Sequence, residues 1–300
     1  MHPIHRLMLT ALRRVPQSLI RPVALRYIAG ERLEDAVRVV RGLNAGIMTA
    51  TIDVLGEDIS TREEAEQARE SCARVLKTIQ KEQLNANLSI KLSQLGLKID
   101  ARYCYERVKS ILQVARGYGK FVRMDMEDSS LTDATLNLYE RLRGEGFENV
   151  GVVIQAYLRR SEADVKRLIR ARAKVRMVKG IYLEPEAIAF KDREEIRRNY
   201  LRLLKMLLEA GCPAAIATHD DLLVKGAFRF IREMNLSPDA YEFQMLYGVR
   251  VKLRDQIRAM GHPLRIYVPF GANWYAYSMR RFQENPQMVR YILQALLVKN

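Results

Sequence analysis

Two adjacent arginines near the end of the sequence could bind a carboxylate or a phosphate. Arg280 and Arg281 lie in the stretch YAYSMRRFQENP (275–286), with Tyr277 before them and Glu284 after them. At about 100° per residue, these four side chains fall within an arc of roughly 100° on one helix face. Guanidinium groups donate paired hydrogen bonds to such anions. For this stretch taken alone, the alternative is a solvated face with an Arg281–Glu284 ion pair.

Further polar side chains follow short apolar runs along the chain. They lie where each run ends, whereas the body of each run is apolar. Polar groups gathered in one place are costly to desolvate unless they pair or bind a ligand. The set mixes cations with anions, which predicts an enzyme site for a small anionic molecule and an anionic cofactor. Its members are Lys91, Asp125, Glu127, Gln155, Arg176, Lys179, Thr218, His219, Asp220, Gln244, Tyr247 and Tyr267.

The apolar runs alternate with segments whose apolar residues have helical spacing. The segment after the first run opens with Ser60–Thr61 and acidic residues, which is typical of a helix N-terminus. Strands that alternate with helices indicate a parallel β/α topology. The eight predicted strands lie within residues 46–57, 86–96, 121–128, 151–158, 174–182, 213–221, 241–248 and 264–271.

Eight strand–helix repeats predict an α/β fold, a (β/α)8 barrel of the TIM type. We predict a helical extension at residues 1–45, packed on a catalytic barrel at residues 46–300. In such a barrel the functional residues lie at the C-terminal ends of the strands, where the polar set is found. A doubly wound sheet is the alternative. Its dinucleotide-binding form has a glycine-rich first turn, and no G-x-G-x-x-G follows a strand in this sequence.

Other chemistries have weak support. Of the four histidines only His219 falls in the polar set, so no metal site is expected. No serine lies in a nucleophile elbow, which argues against a serine hydrolase. The three cysteines, Cys72, Cys104 and Cys212, are far apart, which fits a reducing compartment and buried thiols. No apolar run reaches the roughly 18–20 residues that a membrane-spanning helix needs.

The chain is strongly basic, with a net charge of +15 from 50 Lys and Arg against 35 Asp and Glu. This charge attracts anions, and alone it leaves open nucleic acid, an acidic membrane surface and no specific partner. Residues 1–30 carry five arginines and no acidic residue, without the cleavage site of a secretory signal. We predict a cytoplasmic protein, with residues 1–30 and 158–176 as candidate contacts to the inner membrane face.

Seven motifs in order resemble the proline dehydrogenase family, the flavin enzymes of proline catabolism. The resemblance runs over residues 30–286 and is specific because several long motifs occur together. The chain is similar to the compact, monofunctional bacterial form of the family. The resemblance implies a distorted barrel with a C-terminal lid helix. The motifs are KLSQLG, DMEDS, IQAYL, VRMVKGIYLE, IATHD, EFQMLYG and YVPFGANWYAYSMRR with ENP after it.

The resemblance implies that the protein oxidises L-proline to Δ1-pyrroline-5-carboxylate and passes electrons through non-covalently bound FAD to a membrane quinone. Nucleic acid is then not an expected partner. Arg280, Arg281 and Lys91 match residues that bind the proline carboxylate. Leu246, Tyr267 and Tyr277 match residues that pack on the pyrrolidine ring. Catalytic roles are implied for Arg176, Asp125 and Lys91, with Asp125 beside the substrate lysine and Arg176 near flavin N5.

The resemblance also implies a set of cofactor-binding residues along the strand ends and on the lid helix. Glu284 matches the glutamate that orders this helix. The set that matches positions lining FAD is Gln155, Arg176, Val178, Lys179, Gly180, Thr218, His219, Gln244 and Glu284.

The implied chemistry suits these residue types. A carboxylate clamp and an aromatic wall would hold proline C5 against the flavin ring, while the flavin accepts the hydride. The amine must lose a proton, and no committed base stands out, so solvent can serve. One alternative is a related barrel flavoenzyme for another amine or a folate, which would lack Lys91 together with both arginines. The other is a non-enzymatic basic scaffold for acidic lipid or nucleic acid.

Overall fold

The computed structural model of the chain describes residues 16–56 and 58–284, and the side chains of Leu19 and residues 280–284 fall outside that description. Its centre is a closed barrel of eight parallel strands in sequence order, with β8 paired to β1. The predicted (β/α)8 barrel is confirmed, and the doubly wound alternative is wrong. The strands are β1 (Thr49–Val54), β2 (Ala86–Ile90), β3 (Val122–Met124), β4 (Val150–Gln155), β5 (Val175–Val178), β6 (Ala214–Ala217), β7 (Tyr241–Leu246) and β8 (Leu264–Phe270).

Helices connect the strands on the outside of the barrel. The predicted helix start at Thr61 is a capping box, in which Thr61 accepts from the Glu64 N–H and Glu64 accepts from the Thr61 N–H. Within the described ranges the α-helices are α1 (Gln17–Ala24), α2 (Leu33–Ala45), α3 (Arg62–Lys81), α4 (Ala101–Gly117), α5 (Thr132–Gly144), α6 (Ser161–Arg170), α7 (Arg193–Glu209), α8 (Asp221–Glu233), α9 (Val251–Ala259) and α10 (Trp274–Glu284).

The position of helix α2 accounts for the unusual position of the last helix, α10. Helix α2 packs against both β1 and β8, the outer position that the helix after β8 would otherwise fill. Helix α10 instead packs against α1. A separate apolar cluster joins them, and it includes Leu55, which directly follows β1. This cluster therefore places α10 beside the C-terminal ends of the strands. Its members are Ile20, Val23, Ala24, Ile28, Leu55, Trp274, Tyr277 and Met279.

The eight helix-to-strand turns share one geometry. At each turn a backbone N–H bonds to a carbonyl five residues earlier, as from Leu84 to Ile79 at 2.9 Å and from Phe147 to Leu142 at 3.1 Å. This is the Schellman arrangement, and it requires a left-handed residue just before the donor. Those residues all have positive φ, and they are Ile47, Gln83, Gly119, Gly146, Arg172, Gly211, Asn235 and Gly261.

Ile47 is the least suited of these eight residues to its conformation. It is β-branched, has φ of 60° and is 89% exposed. Left-handed backbone costs a non-glycine residue roughly 1–2 kcal/mol, whereas glycine adopts it freely at some cost in unfolded-state entropy. We expect Ile47→Gly to raise the free energy of unfolding by about 0.5–1 kcal/mol and the thermal midpoint by about 2 °C.

Urea and thermal unfolding of the wild type and the Ile47→Gly variant measure this effect. Gly146→Ala is the matched control, because Gly146 has φ of +83° at the equivalent turn and no atom within 4 Å of an added Cβ. It should lose stability. A destabilised Ile47→Gly variant would show that the Ile47 side chain makes stabilising contacts that outweigh its backbone strain.

The barrel is apolar outside and polar inside. On β1, Ala50 and Ile52 belong to the core beneath the helices, whereas Thr51 and Asp53 are buried polar residues that alternate with them. The same alternation turns charged or amide side chains of β2, β3, β4, β5, β7 and β8 towards the interior of the barrel. Interiors of such barrels are ordinarily filled by branched apolar side chains. Buried charges must pair with an opposite charge or bind a ligand, so the charged interior indicates where the functional site lies.

Two further predictions concern the thiols and the membrane. All three cysteines are buried and unpaired, and burial raises the pKa of the Cys72 thiol to about 12. Among residues 16–56 and 58–284, no helix has the length and apolar character needed to cross a bilayer.

Candidate active site

Lys91 lies just past the end of β2 and is held by a carboxylate from β1. Its Nζ donates to both oxygens of Asp53 at 3.0 Å, and Asp53 is 1% exposed. Burial opposes the charged amine, but the Asp53 and Asp125 carboxylates outweigh it and raise the pKa of Lys91. Lys91 is therefore a cation throughout the neutral range. The sequence prediction included Lys91 but missed Asp53.

Asp125 is the centre of the polar network inside the barrel. Its Oδ1 accepts from Ser89 Oγ at 2.7 Å and from Arg176 Nη1 at 2.6 Å. Its Oδ2 accepts from the Tyr267 hydroxyl at 2.7 Å and lies 4.0 Å from Lys91 Nζ. Burial alone would raise the pKa of Asp125, yet the two cations and the hydroxyl donors hold it below its usual value. Burial and the Asp125 charge raise the pKa of Tyr267.

Arg176 on β5 points into the same network with one donor group left over. Nη1 donates to Asp125, and Nε donates to Gln244 Oε1 at 2.6 Å. The guanidinium carbon lies 5.3 Å from the centre of the Tyr267 ring. Arg176 is 5% exposed, and its Nη2 is buried without a protein partner. A buried guanidinium nitrogen without a protein acceptor is able to donate to a bound ligand.

Gln155 and Glu127 form the adjoining wall. Gln155 Nε2 donates to the Glu127 carbonyl at 2.8 Å, which fixes the amide at the end of β4. The Glu127 carboxylate accepts from the Ser93 N–H at 2.9 Å and from the Ser93 hydroxyl. Glu127 therefore has a structural role, since it ties the loops after β2 and β3 together.

A second charged cluster lies at the ends of β5 and β6. The Asp220 carboxylate accepts from Lys179 Nζ at 3.2 Å and from Arg197 Nε at 2.9 Å, and Arg193 lies at 3.9 Å. Burial opposes ionisation, but Arg197 and Lys179 lower the pKa of Asp220. Arg197 also pairs with Glu194, so three cations face two carboxylates, and the remaining positive charge suits a phosphate. Arg193 and Arg197 were not predicted.

Thr218 and His219 follow β6 directly. Together with the Asp220 cluster they form the rim of the site. The Thr218 hydroxyl accepts from the Asp220 N–H at 3.1 Å. His219 Nε2 accepts from the Leu246 N–H at 3.0 Å, so this nitrogen carries no proton, and the ring ties β6 to β7. Thr218 and His219 were predicted as cofactor contacts, and both lie at this rim.

Gly180 makes a close backbone approach possible after β5. Its φ is +105°, and a Cβ there would lie 2.0 Å from the Tyr157 ring. Only glycine fits this position. The half-buried Val178 and Lys179 precede it, so the packing of Gly180 on the Tyr157 ring fixes the backbone of the predicted V-K-G segment just after β5.

The aromatic residues predicted around the substrate are only partly gathered. Tyr267 and the half-buried Leu246 lie at the ends of neighbouring strands, in register with each other. Tyr277 on α10 is 5% exposed and close enough to Tyr267 to affect its pKa. Arg280, Arg281 and Glu284 belong to α10 by their backbone, but their side chains lie outside the described residues. Among described residues, no cluster of three or more His, Cys, Asp or Glu side chains could hold a metal.

Known proteins resemble this chain over most of its length. The family model described as Proline dehydrogenase matches residues 36–292. Proline dehydrogenase 1 of Bacillus subtilis subsp. natto is 38% identical over 276 residues, which cover 92% of this chain and 91% of that protein. Proline dehydrogenase of Deinococcus radiodurans is 36% identical over 279 residues, covering 92% of this chain and 90% of that protein.

Solved structures show the same fold. Proline utilization A from Bdellovibrio bacteriovorus, inactivated by N-propargylglycine, superposes with a TM-score of 0.83 at 27% identity. The match covers 89% of this chain but 33% of that longer chain. Proline utilization A of Bradyrhizobium japonicum, at 20% identity and a TM-score of 0.74, supports the fold alone.

Proposed function

The chain belongs to the proline dehydrogenase family, and we propose that it oxidises L-proline to Δ1-pyrroline-5-carboxylate by hydride transfer to bound FAD. The observation that carries this proposal is the buried network of Lys91, Asp53, Asp125, Arg176 and Tyr267 at the strand ends. Its charges are already paired, except for the free Nη2 of Arg176. The network therefore offers a ligand the Arg176 Nη2 donor and the positive charge of Lys91, within a rigid frame.

The residues present fit FAD on two observations. The buried Arg176 Nη2, which has no protein acceptor, offers a donor to a ring acceptor. Lys179, with Arg193 and Arg197 around Asp220, offers excess positive charge to a pyrophosphate. We expect the isoalloxazine near Arg176 and the phosphates near this charged rim. The residues that would hold FAD are Gln155, Arg176, Val178, Lys179, Gly180, Thr218, His219, Gln244 and Glu284.

FAD, when bound, would supply the acceptor for the hydride that leaves proline C5. The protein's part is to hold the substrate. Arg280 and Arg281 would bind the carboxylate, and Lys91 would add a third cation. Tyr267, Tyr277 and Leu246 would pack on the pyrrolidine ring and exclude water.

Proton transfer follows from the pKa directions. The raised pKa of Lys91 keeps it charged, and the lowered pKa of Asp125 keeps it ionised. Lys91 already carries its proton, and Asp125 is a weak base because its pKa is lowered and both of its oxygens already accept hydrogen bonds. The substrate amine would therefore lose its proton to solvent before the hydride leaves.

Electrons would then pass to a membrane quinone, and the location of the site bears on how the membrane is reached. Residues 1–15 precede α1, which packs against α10 beside the strand ends. The exposed Arg170, Arg172 and Lys174 instead precede β5, at the opposite end of the barrel. A membrane contact through residues 1–30 keeps the site near lipid, so we favour this segment over residues 158–176 as the peripheral contact of a cytoplasmic enzyme.

We expect a soluble quinone to reoxidise the proline-reduced protein at least about tenfold faster than dissolved oxygen does, with Δ1-pyrroline-5-carboxylate as the trapped product. Stopped-flow absorbance measures both rates. Faster reoxidation by oxygen than by the quinone would contradict the quinone as acceptor.

The wild type should also co-sediment with anionic vesicles at low salt, and a variant lacking residues 1–15 should not. Neutral vesicles are the control. Equal sedimentation of both forms would rule out a contact through residues 1–15.

A further inference from the structure

A third charged group, distinct from the Asp125 network and from the Asp220 cluster, lies inside the barrel on β3, β7 and β8, beneath the candidate active site. Glu242 on β7 accepts from Arg265 Nε at 2.9 and 3.0 Å, and Arg265 Nη1 donates to the Ala50 carbonyl. Arg123 lies nearby on β3 and is 6% exposed. Glu242 borders a cavity of about 290 Å3 at the N-terminal mouth of the barrel. None of these residues was predicted to belong to the site.

The charge of Glu242 is secure. Burial would raise the pKa of Glu242, but the adjacent Arg265 guanidinium, the Gln244 amide and Arg123 together hold it below its usual value. At neutral pH the group is a carboxylate, which accepts hydrogen bonds and donates none.

Gln244 connects this carboxylate to Arg176. Its Nε2 donates to Glu242 Oε1, and its Oε1 accepts from Arg176 Nε at 2.6 Å. An amide side chain can turn over and exchange its two ends. Here Glu242 accepts only and Arg176 donates only, so a single orientation satisfies both. If the amide turned over, Nε2 would face the Arg176 N–H, and Oε1 would face the carboxylate.

We infer that Glu242 is a positioning residue for Arg176, acting through the amide of Gln244. Two acceptors, Asp125 at Nη1 and Gln244 at Nε, set the plane of the guanidinium and hence the direction of its unpartnered Nη2. Without the Glu242 carboxylate only Arg176 itself orients the amide, so the contact at Arg176 Nε is weakened while the Asp125 contact remains. The inference rests on the proposed function where Nη2 serves a bound flavin, but the hydrogen bonds themselves do not.

The test is an exchange of the two groups. Glu242→Gln removes the acceptor-only partner, and Gln244→Glu places two carboxylates against each other. The double variant Glu242→Gln/Gln244→Glu keeps the total charge. Its new carboxylate at 244 can accept from Arg176 and from the new amide at 242, while that amide's oxygen can accept from Arg265.

The first readout needs no cofactor. In protein labelled with 15N at arginine, the Arg176 Nε–H resonance, assigned by its loss in Arg176→Lys, should be protected from solvent exchange in the wild type. It should lose that protection by about tenfold or more in Glu242→Gln and regain it in the double variant. Equal protection in all three proteins would overturn the inference, whatever the bound cofactor.

The second readout is kinetic. Glu242→Gln should lower kcat for L-proline by about 10- to 30-fold with KM unchanged within about threefold, because the carboxylate clamp is elsewhere. The double variant should exceed Gln244→Glu in kcat by about tenfold or more, and these two proteins are compared because both lack Gln244, which is itself among the residues that would hold FAD. Equal kcat in the two would mean that Glu242 serves only Arg265, which overturns the inference.

If Glu242→Gln does not fold, the comparison of Gln244→Glu with the double variant replaces the comparison of Glu242→Gln with the wild type. Recovery in the double supports the inference, and equal impairment overturns it. If the wild type neither binds flavin nor oxidises proline, the proposed function fails, while the resonance of Arg176 still decides the positioning role.

Discussion

Asp125→Asn should lower kcat/KM for L-proline by about 100- to 1000-fold and destabilise the protein by about 3–5 kcal/mol. Asparagine keeps the shape but loses the charge that pairs with Arg176 at 2.6 Å and lies 4.0 Å from Lys91. It also turns one acceptor into a donor, although Ser89, Arg176 and Tyr267 all donate to this side chain. Arg176 would then lose its only carboxylate partner in the network, and Lys91 would keep Asp53 alone.

The stability loss should depend on pH in a defined direction. The pKa of Asp125 is lowered in the folded protein relative to about 3.9 in the unfolded chain. Its contribution is therefore complete above about pH 4 and is lost as the pH falls below that value towards the folded-state pKa. Urea unfolding of the wild type and the variant should differ most near pH 7 and converge in acid.

Asp133→Asn is the matched control for the Asp125 substitution. Asp133 pairs with Arg160, but its side chain is 69% exposed. Surface pairs of this kind contribute about 0–1 kcal/mol. Comparable losses in both variants, or a fully active Asp125→Asn variant, would show that the buried network does not organise the site.

Arg281→Ala should raise KM for L-proline by about 100-fold or more while flavin binding is retained. The helix that carries Arg281 begins beside the strand ends, where Trp274 and Tyr277 pack with Leu55. A bidentate guanidinium–carboxylate contact contributes roughly 3 kcal/mol, which corresponds to a factor of about 100. Steady-state kinetics and the visible absorbance of the purified variant measure the two effects.

Pyrrolidine, which lacks the carboxylate, distinguishes a clamp from a general defect. The variant should lose most of the preference for proline over pyrrolidine and should use pyrrolidine about as well as the wild type. Arg250→Ala is the control, because Arg250 is exposed and pairs with Asp221 at 2.7 Å. If both substrates were impaired equally in Arg281→Ala, the arginine would act on the fold of the helix and not on the carboxylate.

The fold could be predicted from the sequence because its signals are local. Eight apolar runs separated by helical spacing specify a parallel barrel, and the overlap of each run with a strand confirms this. The position of α10 was predicted only through the resemblance. Its physical cause is that α2 fills the slot between β1 and β8, and a pairing of elements so far apart leaves no local pattern.

The site was predictable where polar residues end a strand, and it was missed within the strands. Lys91 and Asp125 were found in this way, and they meet in one network with Arg176, which the structure places within β5 and not at its end. The sequence pattern does not single out Asp53 and Glu242, because they fall within runs that are otherwise predominantly apolar. The signal was present in the alternation of Thr49, Thr51 and Asp53, which gives one polar face to β1. Such a face turned towards the barrel axis indicates a charged interior.

The most direct test of the central claim is the visible absorbance of the purified protein before and after anaerobic addition of L-proline. We predict flavin bands that bleach with proline in the wild type and fail to bleach at the same concentration in Arg281→Ala. Flavin bands that proline leaves unchanged would contradict the proposed substrate, although not the fold or the cofactor. A protein that holds no flavin, even after reconstitution with FAD, would contradict the proposed chemistry altogether.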